Sequence, residues 1–193
     1  VNLDAIKKFM IEKNVYHKLN DYIKASGDLA VKLYKEDIEA ALRTKDFGGF
    51  ELLSLSDYTG QSTATVGILD VFYESKGLIS HDEFKNFAGE AVPLFKAKRI
   101  FKNTDTLEAE LDLYDFGEKK INNPVYNLTV QNGKQVFYKT STTESKVSIP
   151  LNSITKSTML SVILEVNGYK NTWRIFVLSL IHISEPTRQA EIS

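Results

Sequence analysis

The sequence predicts a mixed α+β fold, in which a largely helical first part is followed by an antiparallel β-sandwich. Apolar residues recur at helical spacing in three segments up to residue 44, which indicates amphipathic helices. A glycine break and a short apolar run come next, and this order is typical of one parallel α/β unit. From about Val92 the chain changes to short β-rich segments separated by turns, which is typical of a sandwich.

The three helical segments are DAIKKFMIEKN, YHKLNDYIKASG and DLAVKLYKEDIEAALRT. The second is predicted to end at Gly27, because glycine suits the position that closes a helix. Asp28 is then a candidate N-cap for the third helix. The predicted buried positions are Ile6, Phe9 and Met10 in the first segment and Leu29, Leu33, Ile38 and Leu42 in the third.

The segment KDFGG breaks the third helix, and FELLSLS, residues 50–56, is predicted as a strand that ends in the polar cluster DYTGQ. The apolar segment TATVGILDVFYESKG, residues 63–77, is compatible with a helix or with irregular structure, and both remain open. Ser80 and Glu83 have the spacing of a capping box, which predicts a short helix after Ser80.

The predicted sandwich is built from five segments, one of which is a hairpin of two strands. TLEAELDLY alternates strictly between apolar and polar residues, so it predicts a strand with one buried face. Asn132 and Gly133 lie between two β-rich runs and predict a hairpin. The segments KVSIP, TMLSVILEVNG and YKNTWRIFV complete the strands. We place the domain boundary between residues 91 and 92, so the sandwich covers residues 92–177.

The last segment, LSLIHISEPTRQAEIS (residues 178–193), follows neither a strand nor a helix pattern. It resembles the in-frame translation of a common transposase sequencing adaptor, whose codons give Leu178 to Arg188 in order. We therefore expect a non-native, adaptor-derived tail. The start, VNLDAIKKFM, has neither an initiator methionine nor a signal-peptide pattern, so we expect the chain to be a piece of a longer protein.

Composition excludes several classes of function. The net charge of −1 provides no global field for nucleic acid or for an anionic membrane surface, and no apolar run approaches the length of a bilayer span. The absence of cysteine excludes disulfides, thiolate catalysis and Cys-ligated zinc. His17 and His81 have no second ligand at metal spacing. We therefore expect no nucleic-acid partner, no membrane, no metal and no cofactor, and the oligomeric state stays unknown.

Asp57 and Gln61 are the strongest candidates for a binding site. Side chains that follow strands converge at the mouth of a (β/α)-barrel, and a carboxylate and an amide can each bind sugar hydroxyls in pairs. The alternative is an Asx-type turn that closes a surface loop, and the residues by themselves favour it. If the binding hypothesis is right, both side chains should project from the strand end into open space.

Two further features have a functional and a structural interpretation. Residues 35–39, KEDIE, contain three carboxylates, and paired carboxylates carry out glycoside hydrolysis. On one helix, however, Glu36 and Asp37 point in different directions, so a solvated helix face is predicted. Trp173, with Tyr169, would suit stacking on a sugar ring, but a tryptophan in a last strand is more often part of a core.

The run GGFELLSLSDYTGQSTATVGILDVFYESKG, residues 48–77, resembles the eighth barrel strand and the following loop of glycoside hydrolase family 2, the β-galactosidase-like enzymes typical of Bacteroidetes. The upstream helix ASGDLAVKLYKEDIEAALRT and the downstream segments AVPLFKAKRIFKNTDTL and YKNTWRIFV are also similar to that family. The sequence departs from the family pattern at Thr59, where proline is usual, and at Tyr73, where tryptophan is usual.

The resemblance implies a fold and an activity for the parent protein. Residues 1–91 would be the last strand–helix unit of a (β/α)8 TIM barrel truncated at its N-terminus, and residues 92–177 an immunoglobulin-like β-sandwich. The barrel strands on either side of residues 50–56 would be missing, so we expect this run to be extended with few sheet partners. The parent would be a retaining O-glycosyl hydrolase acting on terminal β-linked sugars, with galactosides as the first guess. Its two catalytic glutamates belong to the fourth and seventh barrel strands, which precede Val1. The chain itself is therefore predicted to hold no catalytic residue and to be inactive.

By the same resemblance, Asp57, Gln61 and Tyr58 would bind the carbohydrate substrate. The parent would be exported, to the periplasm or outside the cell. The rival hypothesis is a non-catalytic carbohydrate-binding or adhesion module in which the sandwich does the binding. The loops QNGKQ and TSTTESK carry neither exposed aromatic residues nor a calcium-type acidic cluster, so a sandwich that only buttresses a barrel is the third possibility.

Overall fold

The computed structural model describes residues 2–58, 60 and 65–179. This part of the chain contains both helices and sheets, which confirms the predicted mixed α+β class, and it contains no closed barrel. The chain divides into two compact units, one ending at Phe84 and the other beginning at Lys85. The boundary predicted between residues 91 and 92 lies inside the second unit.

The first unit is helical and then irregular. Its described elements are α1 (Asn2–Glu12), a 3₁₀ turn (Tyr16–Lys18) and α2 (Leu19–Arg43), and α3 (His81–Ala88) begins in this unit. Met10, Ile38 and Leu42 are buried as predicted. The other predicted core positions of these helices are exposed: Ile6, Phe9, Leu29 and Leu33. The buried face of this unit is therefore narrower than the apolar pattern predicts.

The predicted helix end at Gly27 is wrong, and so is the N-cap at Asp28. Helix α2 continues through both residues for 25 residues in all. A Cβ atom at residue 27 would overlap the side chain of Leu78, so glycine here makes room for a packed neighbour. A glycine that closes a helix and a glycine that permits close packing look alike in a sequence.

The predicted strand over residues 50–56 is not continuous, but the few sheet partners expected for this run are observed. A turn interrupts it at Leu53 and Ser54, and Ser54 has a left-handed backbone with φ of 69°. The described sheet contact of this run is an isolated parallel bridge between Ser56 and Leu69. An extended run becomes a strand only when a neighbour pairs with it, and here the pairing stops at one bridge. Residues 65–77 are irregular, which settles the choice left open for that part.

The capping box at the start of α3 is confirmed. The Glu83 backbone N–H donates to Ser80 Oγ over 3.2 Å, and the Ser80 backbone N–H donates to Glu83 Oε2 over 3.0 Å. The hydrogen bonds from the Ser80 backbone and hydroxyl lower the pKa of the Glu83 carboxyl, because they stabilise its charged form. Local spacing was enough to predict this helix start because both partners lie within one turn.

The second unit is built on two sheets. Their strands are β1 (Ala91–Lys96), β2 (Ile100–Lys102), β3 (Thr106–Asp115), β4 (Tyr126–Asn132), β5 (Gln135–Thr142), β6 (Lys146–Pro150), β7 (Thr158–Val166) and β8 (Tyr169–Leu178). One sheet has the order β1-β3-β6, and the other has the order β2-β8-β7-β4-β5. The predicted hairpin is confirmed, since β4 and β5 pair around Gly133, which has φ of 55°.

One apolar core serves both sheets of this unit. In β3 every second residue is buried from Leu107 to Leu111, as the alternation predicted. These residues belong to the same cluster as buried residues of β4, β7 and β8. Trp173 is buried in this core, and its ring lies 5.4 Å from that of Phe95 between centroids. Its structural interpretation is therefore confirmed.

Two details of the sheets differ from the sequence interpretation. Strand β2 pairs in parallel with β8, from Ile100 opposite Phe176 to Lys102 opposite Leu178, so the second sheet is not purely antiparallel. Strand β8 also includes Leu178, the first residue of the predicted adaptor-derived tail. Residues 180–193 of that tail lie outside the described residues. Among the described residues, no helix has both the length and the apolar character that crossing a bilayer requires.

Candidate functional site

The candidate site is the 54–77 loop, by which we mean the described residues 54–58, 60 and 65–77. It contains Asp57 and Tyr58, two of the three residues predicted to bind sugar. The third, Gln61, lies outside the described residues. Asp57 and Tyr58 are neighbours in sequence, but their side chains have opposite environments: that of Asp57 is 8% exposed, whereas Tyr58 is 63% exposed.

The Asp57 carboxylate lies inside the loop. Its Oδ1 accepts a hydrogen bond from the Gly67 backbone N–H over 2.9 Å and an ion-paired one from Lys76 Nζ over 2.7 Å. The expected projection into open space is therefore wrong for Asp57. The loop-closing interpretation describes this geometry better, although the closing partners are 10 and 19 residues away rather than within one turn. Its predicted role in sugar binding stays a prediction.

Backbone contacts complete the frame around Asp57. The Asp57 N–H donates to the Leu69 carbonyl over 3.0 Å, and the Leu69 N–H donates to the Leu55 carbonyl over 3.0 Å. Lys76 Nζ also donates to the Thr65 carbonyl over 3.3 Å. A Cβ atom at Gly67 would run into the backbone of Ser56 and Asp57, so only glycine permits this approach. The two sides of the loop are thus held together at several points.

Helix α2 supports the loop from the same unit. The Tyr34 hydroxyl lies 3.3 Å from the Val66 carbonyl and 3.5 Å from the Ser54 carbonyl, one on each side of the loop. Tyr34 is one helical turn before the buried Ile38. Helix α2 therefore holds the loop through the Tyr34 hydroxyl, while its buried apolar residues anchor the helix itself.

A tight turn at residues 70–74 presents two exposed aromatic rings. Asp70 Oδ1 accepts hydrogen bonds from the backbone N–H groups of Phe72 over 2.8 Å and Glu74 over 2.9 Å. The Asp70 N–H donates to the Glu74 carbonyl over 2.9 Å and closes the turn. Phe72 is 79% exposed and Tyr73 is 72% exposed.

Tyr73 holds an uncommon backbone conformation in this turn. Its φ of 64° is left-handed, which bulky residues rarely adopt because the side chain crowds the backbone. Such conformations persist where the surrounding structure holds them, and they are concentrated at functional sites. The sequence interpretation did not single out Phe72 and Tyr73 as site residues. The signal that would have found them is Asp70, whose side chain favours a turn two residues ahead.

A buried ion cluster in α2 was also missed. Glu36 and Asp37 are exposed as predicted, but Glu39 is completely buried. Glu39 forms ion pairs with Lys35 and, over 3.2 Å, with Arg43, one helical turn before and after it. The solvated-face prediction is therefore wrong for Glu39. In the described residues, no group of three His, Cys, Asp or Glu side chains is placed to hold a metal ion.

Comparison with known proteins bears on the second unit only. A domain of unknown function, DUF8488, matches residues 105–179. The match begins one residue before β3 and ends one residue after β8, so it covers six of the eight described strands and excludes the 54–77 loop. No curated protein matches the chain. The similarity therefore concerns the sheets and assigns no chemistry to the loop.

Replacing Asp57 with alanine should loosen the 54–77 loop, because the Gly67 N–H and the Lys76 ammonium would lose a shared and largely buried acceptor. The expected loss of local stability is about 1–3 kcal/mol. Hydrogen exchange at the Gly67 amide measures it. Asp57→Asn keeps an oxygen for that amide but removes the charge beside Lys76, so it should give an intermediate result.

Glu51→Ala is the matched control, since Glu51 is an exposed carboxylate of the same segment. It should leave exchange at Gly67 unchanged. If Asp57→Ala also leaves this exchange unchanged, the carboxylate does not hold the loop.

Proposed function

We propose that this chain is the C-terminal part of a retaining glycoside hydrolase that acts on terminal β-linked sugars. In this proposal the 54–77 loop forms one wall of the sugar site, and the catalytic glutamates belong to another part of the parent protein. The family resemblance of residues 48–77 motivates the proposal. The observation that carries it is the pair of exposed aromatic rings on the turn at Asp70.

Exposed aromatic rings suit carbohydrate recognition. The C–H faces of a sugar ring are weakly apolar and pack against the negative face of an aromatic ring, while the hydroxyls remain available for hydrogen bonds. Phe72 and Tyr73 follow one another on a turn that four hydrogen bonds define. A preformed turn has lost its freedom before binding, so less free energy is spent on ordering it.

The geometry suggests separate roles for the predicted site residues. Tyr58 is exposed, and its hydroxyl would hydrogen-bond a sugar hydroxyl at the edge of the wall. Gln61 keeps the role that the family resemblance gives it. Asp57 becomes a positioning residue in this proposal, because its Oδ1 already accepts from Gly67 and Lys76. It would act on the sugar through the shape of the loop.

The same proposal assigns a fold family to each unit. The exposed apolar side chains of α1 and α2 are what a helix layer shows when its partner layer is not present, and we propose that the rest of a TIM barrel covers them. They include Leu3, Ile6, Phe9, Leu29 and Leu33. The second unit, with two sheets on one core, would be the immunoglobulin-like sandwich that buttresses the barrel. The proposed place of action is the periplasm or the cell exterior.

Kinetics of the parent enzyme test the aromatic wall. Phe72→Ala and Tyr73→Ala should each raise KM for an aryl β-galactoside by up to about tenfold, since one aromatic contact contributes about 0.5–1.5 kcal/mol. Tyr22→Ala is the control, because Tyr22 is an exposed aromatic residue of α2 in the same unit. An unchanged KM in both loop variants, or an equal rise in Tyr22→Ala, would contradict the proposal.

A further inference from the structure

A cavity that several polar and charged side chains line lies within the second unit. Its volume is about 440 Å³, and it lies between the end of α3, the start of β1 and the turn that joins β7 to β8. Lys85, Asn86, Glu90, Tyr169 and Lys170 contribute its polar side chains. It is large enough for one sugar-sized molecule.

One pair of these side chains is already joined. The Tyr169 hydroxyl donates to Glu90 Oε1 over 2.6 Å, which ties the start of β8 to the segment before β1. This hydrogen bond raises the pKa of the Tyr169 phenol, so the phenol stays neutral and keeps its proton as a donor. Glu90 keeps acceptor capacity beyond this bond, because a carboxylate has about four lone-pair sites.

The other three polar side chains of the cavity have no hydrogen-bond partner among the described residues. Within the described part of the chain, the Lys85 and Lys170 ammonium groups and the Asn86 amide form no hydrogen bond or ion pair. Two lysines and one glutamate give the lining a net positive charge of one. Gly89 and Gly168 also line the cavity and contribute only backbone atoms to it.

We propose that this cavity binds a sugar acid, a monosaccharide that carries a single carboxylate. The two lysines would bind the carboxylate, and Glu90, Tyr169 and Asn86 would bind hydroxyls. A neutral sugar would leave both ammonium groups unused. A phosphate would bring more negative charge close to the Glu90 carboxylate and would offer few hydroxyl donors to it. This proposal is independent of the hydrolase proposal.

Titration of the ¹⁵N-labelled full chain with glucuronate tests the proposal. Saturable chemical-shift changes are expected at the amides of Gly89, Gly168 and Tyr169. Glucose and inorganic phosphate should shift the same amides with a Kd at least about tenfold higher. This difference corresponds to one charge-assisted hydrogen bond. No saturable change with glucuronate, or equal binding of glucose, would overturn the proposal.

Three variants in the cavity and one control variant test which side chains bind the ligand. Lys85→Gln and Lys170→Gln should each weaken glucuronate binding about tenfold, whereas Lys134→Gln, at an exposed lysine of the β4–β5 turn, should leave it unchanged. Glu90→Gln should strengthen phosphate binding and not glucuronate binding, because it removes the charge that disfavours phosphate. Equal effects of Lys134→Gln and Lys170→Gln would show that only general charge attracts the ligand, and would overturn the proposal. The spectrum of each variant reports whether it is folded.

Discussion

Replacing Trp173 with alanine should destabilise the second unit by about 3–5 kcal/mol, the usual cost of truncating a buried tryptophan. Trp173 lies on β8, is 3% exposed and contacts the Phe95 ring, so the truncation would leave a cavity between the two sheets. Hydrogen exchange of β7 amides measures this loss for the second unit by itself. Tryptophan fluorescence cannot follow it, because Trp173 is the chain's single tryptophan.

Phe176→Ala is the matched control for Trp173→Ala. Phe176 is an aromatic residue of the same strand, but it points to the other face and is 44% exposed. The control should cost less than about 1 kcal/mol, as substitutions outside a core usually do. If the two variants cost the same, Trp173 is not the core residue described here.

The double variant Lys35→Met with Arg43→Met should destabilise the first unit by about 3–5 kcal/mol. Both cations beside Glu39 would be gone, while its carboxylate would remain fully buried. A buried charge without its counter-ions is costly because it has given up hydration for those partners. Hydrogen exchange of the α2 amides measures this loss.

A triple variant separates charge from packing in the same cluster. Adding Glu39→Leu to the double variant replaces the buried ions with apolar side chains, a change that is often neutral or stabilising. The triple variant should therefore recover most of the stability lost in the double variant. A triple variant as unstable as the double would show that packing of the lysine and arginine stems, rather than the buried charge, is what matters.

Features set by neighbours in sequence were predictable. The alternation of β3, the hairpin at Gly133 and the capping box of Ser80 and Glu83 each depend on residues a few positions apart. In each case the sequence pattern lies in a short stretch of chain. The hydrogen bonds or the burial that it predicts lie in the same stretch. The structure accordingly shows them where the sequence predicted them.

Features decided by distant partners were not predictable. Gly27 was mistaken for a helix end because its reason, the Leu78 side chain, lies far along the chain. The run at residues 50–56 has the composition of a strand, but a strand needs a partner that composition does not reveal. The parallel pairing of β2 with β8 likewise joins two segments more than seventy residues apart.

The candidate site also combines features that the sequence predicts with features that depend on distant residues. The sequence singled out the loop, because polar residues and glycines there interrupt an apolar run. It did not show that the Asp57 carboxylate turns inward, since that depends on Lys76 and Gly67. It noted Tyr73 only as a departure from the family pattern and assigned no binding role to Phe72 or Tyr73, because exposed and core aromatic residues look alike without coordinates.

The most direct test of the proposed hydrolase is the gene upstream of the Val1 codon. Sequencing the source DNA in that direction should reveal an open reading frame that encodes the earlier strands of a barrel. Two of those strands should end in glutamates, one as the acid/base and one as the nucleophile of a retaining glycoside hydrolase. An upstream reading frame without two such glutamates would contradict the proposed function.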